Sequence, residues 1–385
     1  MTPVPFTLRV PDEDIADLRD RLARTRFPDQ APDAPWAYGT DVGYMRDLVG
    51  YWRDSFDWRA QEARLNAIPQ FKVPLHGIDL HYLHVPGVGP DPKPLLLMHG
   101  WPGSVFEFMD IIPRLTDPAR FGGKAEDAFT VIAPSLPGYG LSFAPNQRRF
   151  GIAEMAGLFA DLMTKVLGFE KFFAQGGDWG AFAASALGAL HADKVAAIHV
   201  NMLALRPDAP PPANPTPEEQ AYLDACVRWL KEETGYQWIQ GTRPQTLAYG
   251  LTDSPVGIAA WVVEKFRQWS DNTGNPETAV SRDHLLANIA LYWFTGAIGS
   301  SFWPYYARMH GPWPVPDGMT VDVPTGYAEF PRENRRPPRS LAGAMYTDIR
   351  QWTVMAMGGH FAAMEQPAAL AADVVDFFRP LRGSV

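Results

Sequence analysis

From residue 76 onward the chain alternates short apolar runs with amphipathic stretches, and this rhythm restricts the fold more than any other feature. "IDLHYLHV", "PLLLMHG", "FTVIAPSLPGYG" and "FFAQGG" read as strands. "VFEFMDIIPRL", "IAEMAGLFADLMTKVLGF" and "AFAASALGALHADKV" between and after them read as helices. Continuous apolar strand runs separated by helices predict a mostly parallel sheet covered on both faces, an α/β class. Near residue 203 the rhythm stops at the proline-rich "RPDAPPPANPTPEEQ". Residues 216–310 then read as helices only, and strands return in "GMTVDVPTGYAEF" and "DIRQWTVMAMGG" before a last helix, "PAALAADVVDFFRPL". Upstream, "PDEDIADLRDRLARTRFP" sets Ile15, Leu18 and Leu22 at helical spacing, and "YMRDLVGYWRDSFDWRAQEARLNA" reads as a second amphipathic stretch. The expected organisation is a helical lead-in over 1–75, a sheet core over 76–203 and 313–385, and a helical insertion over 204–312.

Charge and cysteine content remove several classes of function. With a net charge of −9 and no Lys/Arg run beyond "ENRRPPR", the chain is a poor match for nucleic acid, whose phosphates need a positive surface. The one cysteine, Cys226, rules out an internal disulfide and a cysteine-based metal site. "MTPVPFTLRVPDEDIADLRDRL" has neither the apolar core of a signal peptide nor a membrane span, so a soluble cytoplasmic protein is expected. Thirteen Trp and 22 Phe predict an aromatic-rich core or pocket. Nothing in the residues argues for a partner chain; a homodimer, the commonest assembly, stays open.

Three segments carry chemistry. In "AQGGDWGAF" a strand turns into a helix through Gly176-x-Asp178-x-Gly180, the sharp Gly-x-nucleophile-x-Gly elbow of the α/β-hydrolase fold, with Asp where an esterase holds Ser. "HGWPGS" follows a buried strand at the place where that fold's oxyanion loop lies. The backbone N–H groups of Trp101 and Trp179 are the expected donors. Trp101–Pro102 is a candidate cis bond, and His99 reads as structural. "MGGHFAAMEQP" puts His360 after the last strand, where the fold's chain order of nucleophile, acid and histidine places the base. For the acid, Glu333 is preferred over Glu329, and Asp348 is a weaker candidate.

A carboxylate at the elbow changes the reaction. Ser attacks acyl carbon, whereas a carboxylate displaces at saturated carbon and leaves an alkyl ester on the enzyme. The histidine then draws a proton from water, which attacks that ester. The substrate must hold carbon activated for displacement, as epoxides and alkyl halides do. A departing epoxide oxygen is a strong base and wants an acid such as tyrosine beside it.

Taken in order, "HGWPGS", "GGDWG", "GYQWIQGTRPQT", "DSPVGIAAWVVEKF", "LYWFTGAIGSSFWPYY", "VPTGYAEFPRE" and "GGHFAAMEQP" resemble the microsomal-type epoxide hydrolase family over nearly the whole chain. The resemblance implies an α/β-hydrolase fold with an N-terminal meander and a helical cap, and no cofactor or metal. It implies Asp178 as nucleophile, His360 as base, Glu333 as acid, Tyr236 and Tyr305 as activators of the epoxide oxygen, and Trp101 and Trp179 as oxyanion donors. Tyr306 adjoins Tyr305, and counting from the paired serines favours Tyr305. Arg332 stands where the family usually has an apolar residue, which bears on the surroundings of Glu333. Mammalian members carry a membrane anchor, and "FTLRVP" offers none. Trp261, Trp269 and Trp293 read as packing, and an aromatic-rich cap favours an apolar or aromatic epoxide. Two other readings are a haloalkane dehalogenase with the same nucleophile, with Trp101 and Trp179 indoles facing halide, and a non-catalytic binder on the same fold.

Overall fold

The computed structural model describes residues 2–32, 34–206 and 210–385; residues 207–209 of the proline-rich link lie outside them. Nine strands form one sheet: β1 (Val4–Pro5), β2 (Gln70–Leu75), β3 (Ile78–Val85), β4 (Lys93–Met98), β5 (Phe129–Pro134), β6 (Phe172–Gly176), β7 (Val195–Val200), β8 (Thr325–Glu329) and β9 (Ile349–Val354). Their spatial order is β1-β2-β3-β5-β4-β6-β7-β8-β9. β1, β2, β3 and β5 pair antiparallel, and every pairing from β5 through β4, β6, β7 and β8 to β9 is parallel. The central parallel strands are covered on both faces, which is why Leu95–Met98 and Phe172–Ala174 are unbroken apolar runs with no exposure. The carboxyl ends of β4, β6, β8 and β9 share one edge, the edge at which a parallel sheet opens a crevice for ligands.

Helices fill the interval from Pro217 to His310: Pro217–Glu232, Gly235–Thr242, Pro244–Asp253, Pro255–Trp269, Arg282–Thr295 and Trp303–His310. Four of them carry proline in the first turn, where its missing N–H costs nothing and its fixed φ suits the helix. The N-terminal helices Asp12–Ala23 and Val42–Asp54 lie against this helical layer. Tyr51 Oη donates to Asp283 at 2.7 Å, Thr40 Oγ1 to the Ala260 carbonyl at 2.7 Å, and Arg21 to the Asp253 carbonyl at 2.9 Å. No single helix among the described residues is long and apolar enough to cross a membrane.

Three features depart from the sequence reading. The lead-in is not wholly helical, since β1 and β2 fall within it and extend the sheet. β7 lies in an alanine-rich stretch whose composition continues that of the preceding helix; the turn at 191–194 hides the change of period. The stretch 44–67 is two helices, because the Asp57 side chain accepts from Ala60 N and caps a new start at Trp58.

Candidate active site

The elbow is built by close approach. A methyl group on Gly180 would overlap the Met98 carbonyl at the end of β4, and one on Gly176 would overlap the Gly180 backbone. Only glycine lets the helix Asp178–Leu190 begin this near the sheet. Asp178 itself sits at φ 45°, the left-handed region that non-glycine residues seldom occupy outside functional sites. That backbone turns its carboxylate out of the sheet edge.

The two oxygens of Asp178 face different groups. Oδ1 accepts the Trp101 amide N–H at 2.8 Å. Oδ2 lies 3.4 Å from His360 Nε2. The Trp179 amide belongs to the first turn of the helix, whose opening N–H groups have no intrahelical acceptor. The Trp101–Pro102 bond is cis. The loop that carries it is tied to the helix Arg282–Thr295: Asn288 Nδ2 donates to the Pro102 carbonyl at 2.8 Å and Tyr292 Oη to the Gly103 carbonyl at 2.6 Å. His99 is a packing residue here, accepting Leu136 N on Nε2, and burial pushes its ring down to about 4.

His360 reaches the site from the loop after β9, with its amide bonded to the Trp269 carbonyl at 2.8 Å. Its Nδ1 meets Glu333 Oε1 at 2.7 Å. Burial alone would lower the imidazole's affinity for a proton, yet the charges of Glu333 and Asp178 raise it well above the ordinary histidine value. The Glu333 side chain is fully buried, and Oε1 also accepts the Asn334 amide. The other acid candidates are engaged elsewhere: Glu329 accepts the Trp352 indole N–H, and Asp348 holds Arg350. Arg332 is 62% exposed and lies 3.7 Å from Asp271.

Tyr236 and Tyr305 come from two different helices of the insertion, and their rings meet edge to face at 5.6 Å. Tyr236 stacks on the Trp101 indole at 5.4 Å, and Tyr305 stands edge-on to Trp179 at 4.8 Å. Burial, with the Asp178 charge adding to it, holds both phenols well above their ordinary values, so both keep their protons. The Tyr305 hydroxyl has no hydrogen-bond partner among the described residues. Tyr306 faces outward, half-buried and stacked on His310 at 4.0 Å.

Two chambers flank the Asp178 carboxylate. One contains Tyr236, Tyr305, Trp179, Gln237 and Arg308. The other contains His360, Glu107, Gln175 and Asn201, and each of the two, at about 20 Å³, has room for a single water. Glu107, Gln175 and Asn201 were not singled out in the sequence. Burial raises the Glu107 carboxyl to about 8, which leaves it neutral near pH 7. Trp269, expected to be packing, forms a wall of the site with its ring 5.0 Å from His360. The indole nitrogens of Trp101 and Trp179 are unpartnered, but so are those of Trp52, Trp229, Trp269 and Trp313, so the pair does not mark a halide cradle.

Comparison with known proteins gives a consistent result. Residues 3–108 match the family described as "Epoxide hydrolase N terminus", and residues 93–234 match "alpha/beta hydrolase fold". A Stigmatella aurantiaca protein provisionally named an epoxide hydrolase is 43% identical over 98% of this chain and 85% of its own. Epoxide hydrolase 1 of Oryctolagus cuniculus is 38% identical over 97% of this chain and 88% of its own. The crystal structure of juvenile hormone epoxide hydrolase from the silkworm Bombyx mori superposes with a TM-score of 0.90 at 31% identity, covering 100% of this chain and 95% of that one.

Proposed function

The chain belongs to the epoxide hydrolase family of the α/β-hydrolase fold, and on that premise we propose that it opens an epoxide to a vicinal diol through an alkyl ester on Asp178. The observation that carries this reading is the division of labour around one carboxylate: an oxygen on a backbone N–H, an oxygen toward the histidine, a cavity lined by phenols on one side and one lined by the histidine and polar side chains on the other.

In the first half, Oδ2 of Asp178 attacks a ring carbon and the carbon–oxygen bond of the epoxide breaks. The departing oxygen takes a proton from Tyr236 or Tyr305, leaving a phenolate. In the second half, water in the His360 chamber gives a proton to Nε2 and its oxygen adds to Cγ of Asp178. Oδ1 carries the resulting negative charge, held by the Trp101 and Trp179 N–H groups. The ester bond then breaks, His360 protonates the diol, and the aspartic acid returns its extra proton to the phenolate. Glu333 keeps the imidazole oriented and supports its charged form. Glu107, as a neutral acid, holds the water without adding a third negative charge. Residues 204–312 act as a cap that presents the phenols over a core contributed by 76–203 and 313–385, with 1–75 strapped across both.

A single turnover in ¹⁸O-water tests the covalent route. The label is expected in the peptide containing Asp178 and absent from the first diol; label in the diol alone overturns the ester. Tyr236→Phe and Tyr305→Phe are each expected to slow alkylation roughly tenfold to a hundredfold, because a general acid contributes about 10²–10⁴ and two phenols share the task. The double variant is expected to fall well beyond either single one. Burst kinetics read this directly, and an unaltered burst in the double variant removes the phenols from the chemistry.

A further inference from the structure

Two arginines share the phenol chamber with the Asp178 carboxylate, and neither forms an ion pair among the described residues. Arg308 is half-buried and donates once, from Nη2 to Gln237 Oε1 at 2.9 Å. Arg335, also half-buried, makes neither a hydrogen bond nor an ion pair among the described residues and lies over the Trp229 ring at 5.6 Å. Arg59 and Arg282, of similar exposure, each hold two carboxylates. Desolvation and, after it, the neighbouring Arg335 work against the charge on Arg308, and Tyr305, Tyr236 and Asp178 offset them only in part. Two half-desolvated like charges on one wall are costly unless an anion comes between them.

Their position relates them to the reacting oxygen. The Gln237 amide bridges the two: its Nε2 donates to Tyr236 Oη at 2.9 Å while its Oε1 receives Arg308. One side-chain amide therefore separates the guanidinium from the phenol. Beyond Arg308 and Arg335 the chamber wall continues into an apolar hollow of about 740 Å³, faced by Tyr222, Leu223, Leu230, Met309, Trp313 and Met345. That volume falls within the range of small-molecule sites. The chain as a whole is at −9, so its overall field repels anions and any preference for one has to be local.

We propose that the substrate is an epoxy acid: Arg308 and Arg335 grip a carboxylate a few bonds from the epoxide ring, and the apolar remainder enters the adjoining hollow. This rests on the epoxide-opening reading of the same site. Guanidinium pairs suit a planar carboxylate because they meet it with two N–H groups at once.

The test uses matched epoxides: trans-3-phenylglycidate against trans-β-methylstyrene oxide, in which methyl replaces carboxylate, and a longer-chain pair built the same way. The quantity read is the ratio of kcat/KM for acid over neutral, in the wild type and in Arg335→Gln. The ratio is expected to fall roughly tenfold to a hundredfold in the variant, the scale of losing one charge-assisted contact. A ratio that stays the same overturns the proposal, including the case in which both rates drop because the arginines serve the reaction generally. Wild-type hydrolysis of the neutral members alone also overturns it while leaving the epoxide reading intact. Hydrolysis of none, with no label reaching Asp178, defeats the reading beneath it. Should Arg335→Gln not fold, 3-phenylpropanoate is tested as a competitor of the neutral epoxide in the wild type. Competition that weakens with added salt is expected, and its absence overturns the proposal.

Discussion

His360→Gln is expected to halt turnover while the enzyme still reacts once with its substrate. Steady-state diol formation should drop by about 10³–10⁴, the range attributed to a positioned general base. A stoichiometric adduct, heavier by the whole epoxide, should collect on the peptide containing Asp178. Glutamine is the informative replacement because its amide can still donate to Glu333 Oε1, which lies 2.7 Å from the imidazole. Alanine would leave a fully buried carboxylate alone, and breaking a buried pair by removing one partner costs about 3–5 kcal/mol. Intact-mass spectrometry after mixing reads the result. Slow linear turnover with no adduct would mean that water, not Asp178, attacks the epoxide.

Asp178→Asn is expected to abolish both half-reactions, a loss on the order of 10⁵–10⁶ in kcat, as when the nucleophile of a catalytic triad is removed. Backbone geometry decides the choice of residue. Position 178 sits at φ 45°, where asparagine is tolerated and alanine costs about 1–2 kcal/mol. A variant that keeps the melting midpoint of the wild type and forms neither diol nor adduct isolates the chemistry from the fold. Residual adduct formation at another residue would move the nucleophile away from Asp178.

The sheet core was readable because its strands advertise themselves. Ile78–Val85 is a largely apolar stretch bounded by turns, β5 ends in proline and β6 in glycine, and β4 stops two residues before Gly100. β7 escaped because Ala and Val serve helices and buried strands alike, so periodicity cannot separate them. The elbow and His360 could be located by local order alone. Glu333 needed distance along the chain as well, since it lies on a loop past β8 rather than in it. Tyr236 and Tyr305 could be chosen only through the family resemblance; the structure brings both to Trp101, whereas Tyr306 stacks on His310. Glu107, Arg308 and Arg335 had no local signature. Their significance comes from what folding leaves them, a buried carboxyl and two half-buried guanidinium groups that form no ion pair among the described residues.

The imidazole of His360 lies between two carboxylates, 2.7 Å from one and 3.4 Å from the other. On the proposed route, converting Asp178 to an ester would erase one of those charges at the moment the epoxide is captured. The ring then has a single anion to support its proton and gives it up more readily than in the resting site. Capture of the substrate would thus loosen the imidazole's hold on a proton, and regeneration of the carboxylate would tighten it again. On this reading the order of the two halves is written into one charge: the imidazole holds a proton less tightly while the ester exists than before it forms or after it is cleaved.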